Sequence, residues 1–180
     1  MKDRQKAPPR SDPGVEISAG AAAELAALIP ATRVGPRAAM RAVSAPEVLN
    51  EAHAYERPSS FSRGIRLDLP GATMLFISGT ASIDERGATI HAGDFAAQCL
   101  RTYRNLSRLL EGEDADWKDV VRTTCYLRDI ERDYATFNQL RTWFLGHAGC
   151  DPLPASTAIQ ARLCRTDLLV EIEAIAVIPR

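Results

Sequence analysis

The sequence predicts an α+β domain in which one sheet is covered on one face by two helices. Two observations predict it. Strand-like segments, alternating or rich in β-branched residues, flank two amphipathic segments of helical period, each with an aspartate near its start. The resulting order, β-β-(β)-α-β-α-β-β, shows no internal repeat, and this mixture of elements packs as a sheet layer against a helix layer.

Taken in order, residues 1–54 read as an N-terminal extension and residues 55–180 as the domain. The basic stretch MKDRQKAPPR has no apolar run behind it, so it reads as a disordered leader and not a signal peptide. SAGAAAELAALI, Ser18 to Ile29, predicts one short helix with Ser18 as N-cap and Pro30 near its stop. SRGIRLDL sets Ile65, Leu67 and Leu69 against Arg66 and Asp68, the alternation of a half-buried strand, and the apolar TMLFISG follows, ending at Gly79.

A helix is expected from the cap Asp94 through FAAQCLRTYRNLSRLLE. Its inner face is Phe95, Cys99, Thr102, Leu106 and Leu109, with Arg101, Arg104 and Arg108 outward. VVRTTCYL, Val120 to Leu127, reads as a strand. DYATFNQLRTWF reads as a second helix with Asp133 as cap and Tyr134, Phe137, Leu140 and Phe144 on its apolar side. STAIQARL and LLVEIEAIAV are the last two strands.

A chain of 180 residues fits one domain with an appended arm. Its formal net charge of -1 argues against nucleic acid as a partner, because phosphate binding needs a concentrated basic surface. No segment approaches the ~18 consecutive apolar residues of a membrane span, so a soluble, cytoplasmic protein without a membrane partner is expected. Cys99, Cys125, Cys150 and Cys164 form no CxxC pair, and His53, His91 and His147 are scattered. The expectation is therefore no metal, no cofactor, and buried, inert thiols.

Glu171 and Glu173 lie two apart on the last strand, so both project from one face, about 7 Å apart, among Leu169, Ile175 and Val177. Burial of that face would raise their pKa values and suit one of them to proton transfer. An exposed edge would instead let them pair with Arg122, Arg162 or another surface arginine.

Several blocks in register, FISGTASID, DVVRTTCYLRDIERDYATFN, DPLPAS and VEIEAIAV, resemble the RidA/YjgF/YER057c/UK114 family over about residues 57 to 178. The resemblance implies a chorismate-mutase-like fold, a homotrimer, and intersubunit clefts for a small-molecule substrate. Members of the family hydrolyse enamines and imines with release of ammonia, and grip the substrate carboxylate with an arginine. This chain has Ser156 in that place, and Ala158 where the family has a cysteine. A serine hydroxyl cannot provide the charged, planar fork of a guanidinium.

By the same resemblance Glu171 is the candidate acid or base, with Ser78 and Asn138 beside it in the catalytic set. Phe61 stands for a tyrosine, and Phe61, Arg63, Gly79, Ser156, Thr157 and Arg165 are the candidate substrate-binding residues. Glu173 is read as structural. Arg57, Arg63 and Arg165 are candidates for the missing clamp, whereas Arg162 lies too far along its strand from Ser156, ~20 Å. SGTASI, then His91, Gly93, Asp94 and Gln98, then RLCRTDLLVEIEA, also resemble the C-terminal half of chorismatases. His91 is either a proton shuttle or part of the helix start at Asp94.

The expected function is thus metal-independent hydrolysis, elimination or isomerisation of an unsaturated metabolite, including metabolites of specialised pathways. Generic enamine or imine deamination is not expected. The alternatives are a non-catalytic ligand-binding or assembly trimer and a chorismatase-like hydrolase or lyase.

Overall fold

A computed structural model describes residues 17–29, 38–55 and 58–180. The leader, Pro30 and Arg57 lie outside the described residues. Helix α1, Ala19–Ala27, starts where Ser18 Oγ accepts from the Ala21 amide (3.2 Å), and none of its side chains is buried. It belongs to a separate unit from Ala38–Arg180.

The second unit is a six-stranded mixed sheet in the order β1-β2-β3-β6-β4-β5. Its strands are β1 (Ala39–Ala42), β2 (Gly64–Leu69), β3 (Ala72–Ala81), β4 (Val120–Leu127), β5 (Ala155–Gln160) and β6 (Val170–Pro179). Helix α2 (Phe95–Glu111) joins β3 to β4, and α3 (Ile130–His147) joins β4 to β5, the one parallel pair. A parallel pair needs such a crossover, which is why α3 lies over these two strands. Gly71, at φ 81, makes the tight turn between β2 and β3.

Alternation along β6 shows how the layers sit. Val170, Ile172, Ala174 and Ala176 are buried, while Glu171, Glu173, Ile175 and Val177 are only partly so. The first set meets the helices, as do Leu75 and Ile77 of β3 and Cys125 and Leu127 of β4. The period of two therefore assigns one face to the core and leaves the other uncovered by any described element. Helix α2 contributes Cys99, Thr102, Leu106 and Leu109 as expected, and Tyr103 stacks on Phe144 of α3 at 4.3 Å between ring centroids. The buried Gln98 is fully engaged: its Nε2 donates to the Asp167 carbonyl (2.8 Å) and its Oε1 accepts from the Leu169 amide (2.8 Å).

Four expectations need correction. The domain begins at Ala38, not at residue 55: β1 pairs with β2, and Val43, Ala45, Val48, Leu49 and Ala52 are buried in the core. Arg41 of β1 and Arg66 of β2 also converge on the buried Glu113, at 2.6 and 3.1 Å. Helix α3 starts a turn earlier than predicted, with Asp129 Oδ1 accepting from the Arg132 amide, whereas Asp133 is a buried residue inside the helix. Tyr134 is exposed, and the packed face of α3 is Phe137, Leu140, Phe144 and Leu145. Arg101 does not point to solvent: its Nε donates to the Ile83 carbonyl (3.2 Å).

Candidate functional site

Glu171 owes its setting to a backbone irregularity. In the β3–β6 pairing Ile77 faces Ala174 and Thr80 faces Ile172, so the two residues Ser78 and Gly79 occupy the space opposite Glu173 alone. This is a β-bulge, a device that re-aims side chains near the end of a strand pair. Ser78 Oγ donates to the Ser62 carbonyl (2.8 Å), which fastens the bulge to the segment entering β2. Gly79 then lets the Glu171 carboxyl lie against the backbone, since a Cβ there would fall 2.0 Å from Glu171 Oε1.

The carboxyl opens into a cavity of about 290 Å³ whose walls include Phe61, Arg63, Cys164, Arg165 and Leu168. Its pKa is raised above the ordinary glutamate value, first by burial and then by the like charge of Glu173, against a smaller lowering by Arg63. No arginine or lysine lies at ion-pair distance from Glu171 or Glu173 among the described residues. The surface-pairing alternative is therefore not the arrangement found. Leu168 lines the cavity, and not Leu169.

Arg63 is the charged counterpart. It is only 3% exposed, its Nε donates to the Asn50 carbonyl (2.9 Å) and its Nη2 to Tyr55 Oη (2.5 Å). The guanidinium also sits against the rings of Tyr55 (5.0 Å) and Phe61 (5.3 Å). Among the described residues no carboxylate lies at ion-pair distance from the guanidinium, although Glu51 Oε2 accepts from the Arg63 backbone amide (3.4 Å) and Glu171 feels its charge across the cavity. A buried cation held by neutral groups at the wall of a cavity is equipped to receive an anion.

A second cavity, about 370 Å³, lies over β5 and α3 and is lined by Asn138, Arg141, Leu145, Leu153, Pro154 and Ser156, among others. The nine candidate residues thus divide. Glu171, Gly79, Phe61, Arg63 and Arg165 share the first cavity; Asn138 and Ser156 share the second. Ser78 supports the bulge, and Thr157, on the uncovered side of β5, accepts from Arg122 Nη2 (3.2 Å). Arg165 lines the first cavity while donating to the Gly87 carbonyl.

His91 is in neither cavity; its carbonyl accepts from the Asp94 amide (3.1 Å) and so shapes the start of α2. Cys164, expected to be buried or inert, is exposed and lines the Glu171 cavity. Its segment after β5 is irregular, so strand alternation does not decide where that thiol points.

Sequence reasoning missed Tyr55 and Arg141. Nothing local marks Tyr55. Arg141 had one signal, its position three residues after Asn138 on a helix, where the two side chains adjoin.

The fold and cavities define a small α+β domain with an acid at one end of a strand and a cation beside it. Residues 52–178 match the model of the family described as Endoribonuclease L-PSP, and the chain belongs to that family. It is 29% identical to a 2-iminobutanoate/2-iminopropanoate deaminase of Rattus norvegicus, over 73% of this chain and 89% of that protein. It is 34% identical to a chorismatase of Streptomyces rapamycinicus, over 81% of this chain and 45% of that protein. The crystal structure of the E. coli YjgF gene product superposes with a TM-score of 0.61 at 25% identity, covering 76% of this chain and 98% of that one. The α+β fold is therefore that of the RidA/YjgF proteins.

Proposed function

We propose that the protein is a metal-independent enzyme of small-molecule metabolism in which Glu171 transfers protons and Arg63 holds an anionic group of an unsaturated substrate. One observation carries the reading: a carboxyl of raised pKa and a buried guanidinium, neither at ion-pair distance from a partner among the described residues, share the walls of one cavity. A carboxyl that stays partly protonated near neutral pH can give its proton to a polarised double bond or a departing heteroatom. The carboxylate so formed takes a proton from the water that captures the resulting cation, which returns the acid to its starting state. Such a cycle hydrolyses the substrate; without capture by water it eliminates or isomerises.

Generic deamination of enamines and imines is a weaker reading because Ser156 stands where the deaminases of the family carry their carboxylate-binding arginine. The chorismatase likeness favours a second, narrower reading, a chorismatase-like hydrolase or lyase, since it extends over more of this chain than the deaminase likeness does. A homotrimer with intersubunit clefts is also part of the proposal. The uncovered sheet face, with Phe76 39% exposed beside Ile175 and Val177, supports association through that face. Asn138 and Ser156 would enter the catalytic cleft only through such packing.

The test is turnover. The protein is incubated with chorismate and, separately, with 2-iminobutanoate generated in place, while pyruvate and ammonia are followed. Consumption of chorismate that falls about 100-fold in Glu171→Gln supports the acid role. Ammonia release at the rate of arginine-bearing deaminases sinks the departure from deamination. Binding of chorismate with no turnover at all favours the non-catalytic trimer.

A further inference from the structure

The second cavity carries a cation that no sequence motif announces. Arg141 Nη2 donates to Asn138 Oδ1 (2.6 Å) and its Nη1 to Ser156 Oγ (3.1 Å), and the guanidinium lies over the ring of Phe137 at 5.2 Å. Ser156 Oγ is itself held, accepting from Thr123 Oγ1 at 3.0 Å. Three elements thus fix one guanidinium: α3 supplies it and Asn138, β5 supplies the serine, and β4 orients the serine.

All of these partners are neutral. Two of the five N–H groups of the guanidinium are used in these bonds, which leaves three without an acceptor among the described residues. No carboxylate lies at ion-pair distance from Arg141 among them either. The rest of the lining is mostly apolar, with Leu145, Leu153 and Pro154 beside Gly146 and the one polar side chain of Thr142. A solvated surface arginine needs no such support; a positioned, uncompensated guanidinium at the mouth of an apolar cavity is organised to bind an anion with a hydrophobic body.

We propose that this cavity is a carboxylate-binding site in which Arg141 is the anion ligand, with Asn138 and Ser156 holding its guanidinium in place. Ser156 then serves as a support for a cation that α3 delivers to the place where β5 lacks one. The ligand class is a small carboxylate whose apolar portion lies on Leu145, Leu153 and Pro154. The site stands on its own geometry and does not depend on Glu171 being the proton donor.

The experiment uses the full chain and benzoate as the probe, with benzamide as its neutral counterpart and inorganic phosphate as the non-carboxylate anion. Binding is followed by calorimetry and by the side-chain Nε–H signal of Arg141, identified by its loss in Arg141→Gln. Benzoate should bind saturably and shift that signal, and benzamide and phosphate should not. Arg141→Gln should weaken benzoate by about tenfold or more, and Arg141→Lys, which keeps the charge but not the fork, by less. Ser156→Ala, which removes one support, should weaken it by a smaller factor than Arg141→Gln. Circular dichroism confirms that each variant is folded, and the lysine variant carries the test should the glutamine variant not fold. Absence of saturable benzoate binding in the millimolar range would overturn the proposal. So would equal binding of benzamide, preference for phosphate, or benzoate binding that survives Arg141→Gln but is lost in Arg63→Lys, which would place it in the Glu171 cavity.

Discussion

Gly79→Ala isolates the placement of the Glu171 carboxyl from its chemistry. An alanine Cβ would stand 2.0 Å from Glu171 Oε1 and 2.9 Å from its carboxyl carbon, against an ordinary contact of 3.4 Å or more, so the oxygen must retreat by about 1.4 Å. The obstacle is the far end of a flexible side chain, and Gly79 is not among the positive-φ glycines, so the backbone accepts alanine. The stability change should stay within about 1 kcal/mol, with the reduced entropy of the unfolded chain partly offsetting the shift. On the proposed proton-transfer role of Glu171 the functional cost should be far larger, since a displacement of this size in a reacting group costs about 100-fold in turnover. Carbon-13 detection of the Glu171 carboxyl, with thermal unfolding in parallel, separates the two effects. The carboxyl should titrate nearer the ordinary glutamate value of about 4.3 once it is pushed from its pocket. A variant that unfolds at the wild-type temperature and keeps both the raised titration and full turnover would refute the account of Gly79.

Glu171 also predicts a pH dependence of stability. Its folded-state pKa is raised, so the folded protein binds the proton more tightly than the unfolded chain does, and stability falls as pH rises from the unfolded value through the folded one. Urea denaturation at a series of pH values should therefore show Glu171→Gln gaining on the wild type across that window and then holding a constant lead; a pH-independent difference would contradict the shift. Glu113→Gln should cost about 2–3 kcal/mol in the same assay, below the 3–5 typical of a fully buried pair because Arg41 is largely exposed, and a change near zero would make the cluster ornamental. A chain beginning at residue 55 should not fold, since it lacks the buried Val43, Val48 and Leu49, each worth about 1.5–3 kcal/mol against a total stability of about 5–15. Under native conditions an alkylating reagent should label Cys164 alone, with Cys99, Cys125 and Cys150 reacting after denaturation; burial pushes the Cys99 thiol up to about 12.

The elements legible in the sequence are those whose period reports burial. β6 carries buried residues at every second position, and α2 repeats apolar residues from a cap at Asp94 that the structure retains. β2 alternates in its sequence but not in its burial, since Ile65 to Leu69 are all half-buried and Arg66, not Ile65 or Leu67, pairs with the buried Leu75. β1 was not legible because AMRA is short, fully exposed in its side chains and held by backbone pairing at a sheet edge. Its one charged tie, Arg41 reaching Glu113, spans 72 residues, and no local pattern encodes that. The start of α3 was misplaced for a related reason: Asp129 and Asp133 are both aspartates one turn apart, and composition alone does not say which one leaves the helix.

The candidate site divides the same way. Glu171 could be picked out because a carboxylate on an apolar strand is unusual in itself, and Gly79 because it accompanies a recognisable block. Arg63 could be named only through the block it shares with Phe61, and Arg141 had only its spacing from Asn138, since arginine is commonplace on surfaces; what sets the two apart is that each guanidinium is fixed by neutral groups at a cavity wall. That fixing is a property of the assembled fold. Arg63 is enclosed by Tyr55 and Asn50, which precede it on an irregular segment, and Arg141 is met by a serine that the parallel β4–β5 pair brings beneath α3. Ser156, which by the family resemblance stands in the place of an arginine, meets Arg141 Nη1 at 3.1 Å across from α3. If Arg141 is the anion ligand as proposed, the charge that β5 lacks comes from the element that faces it, and Ser156 is its support.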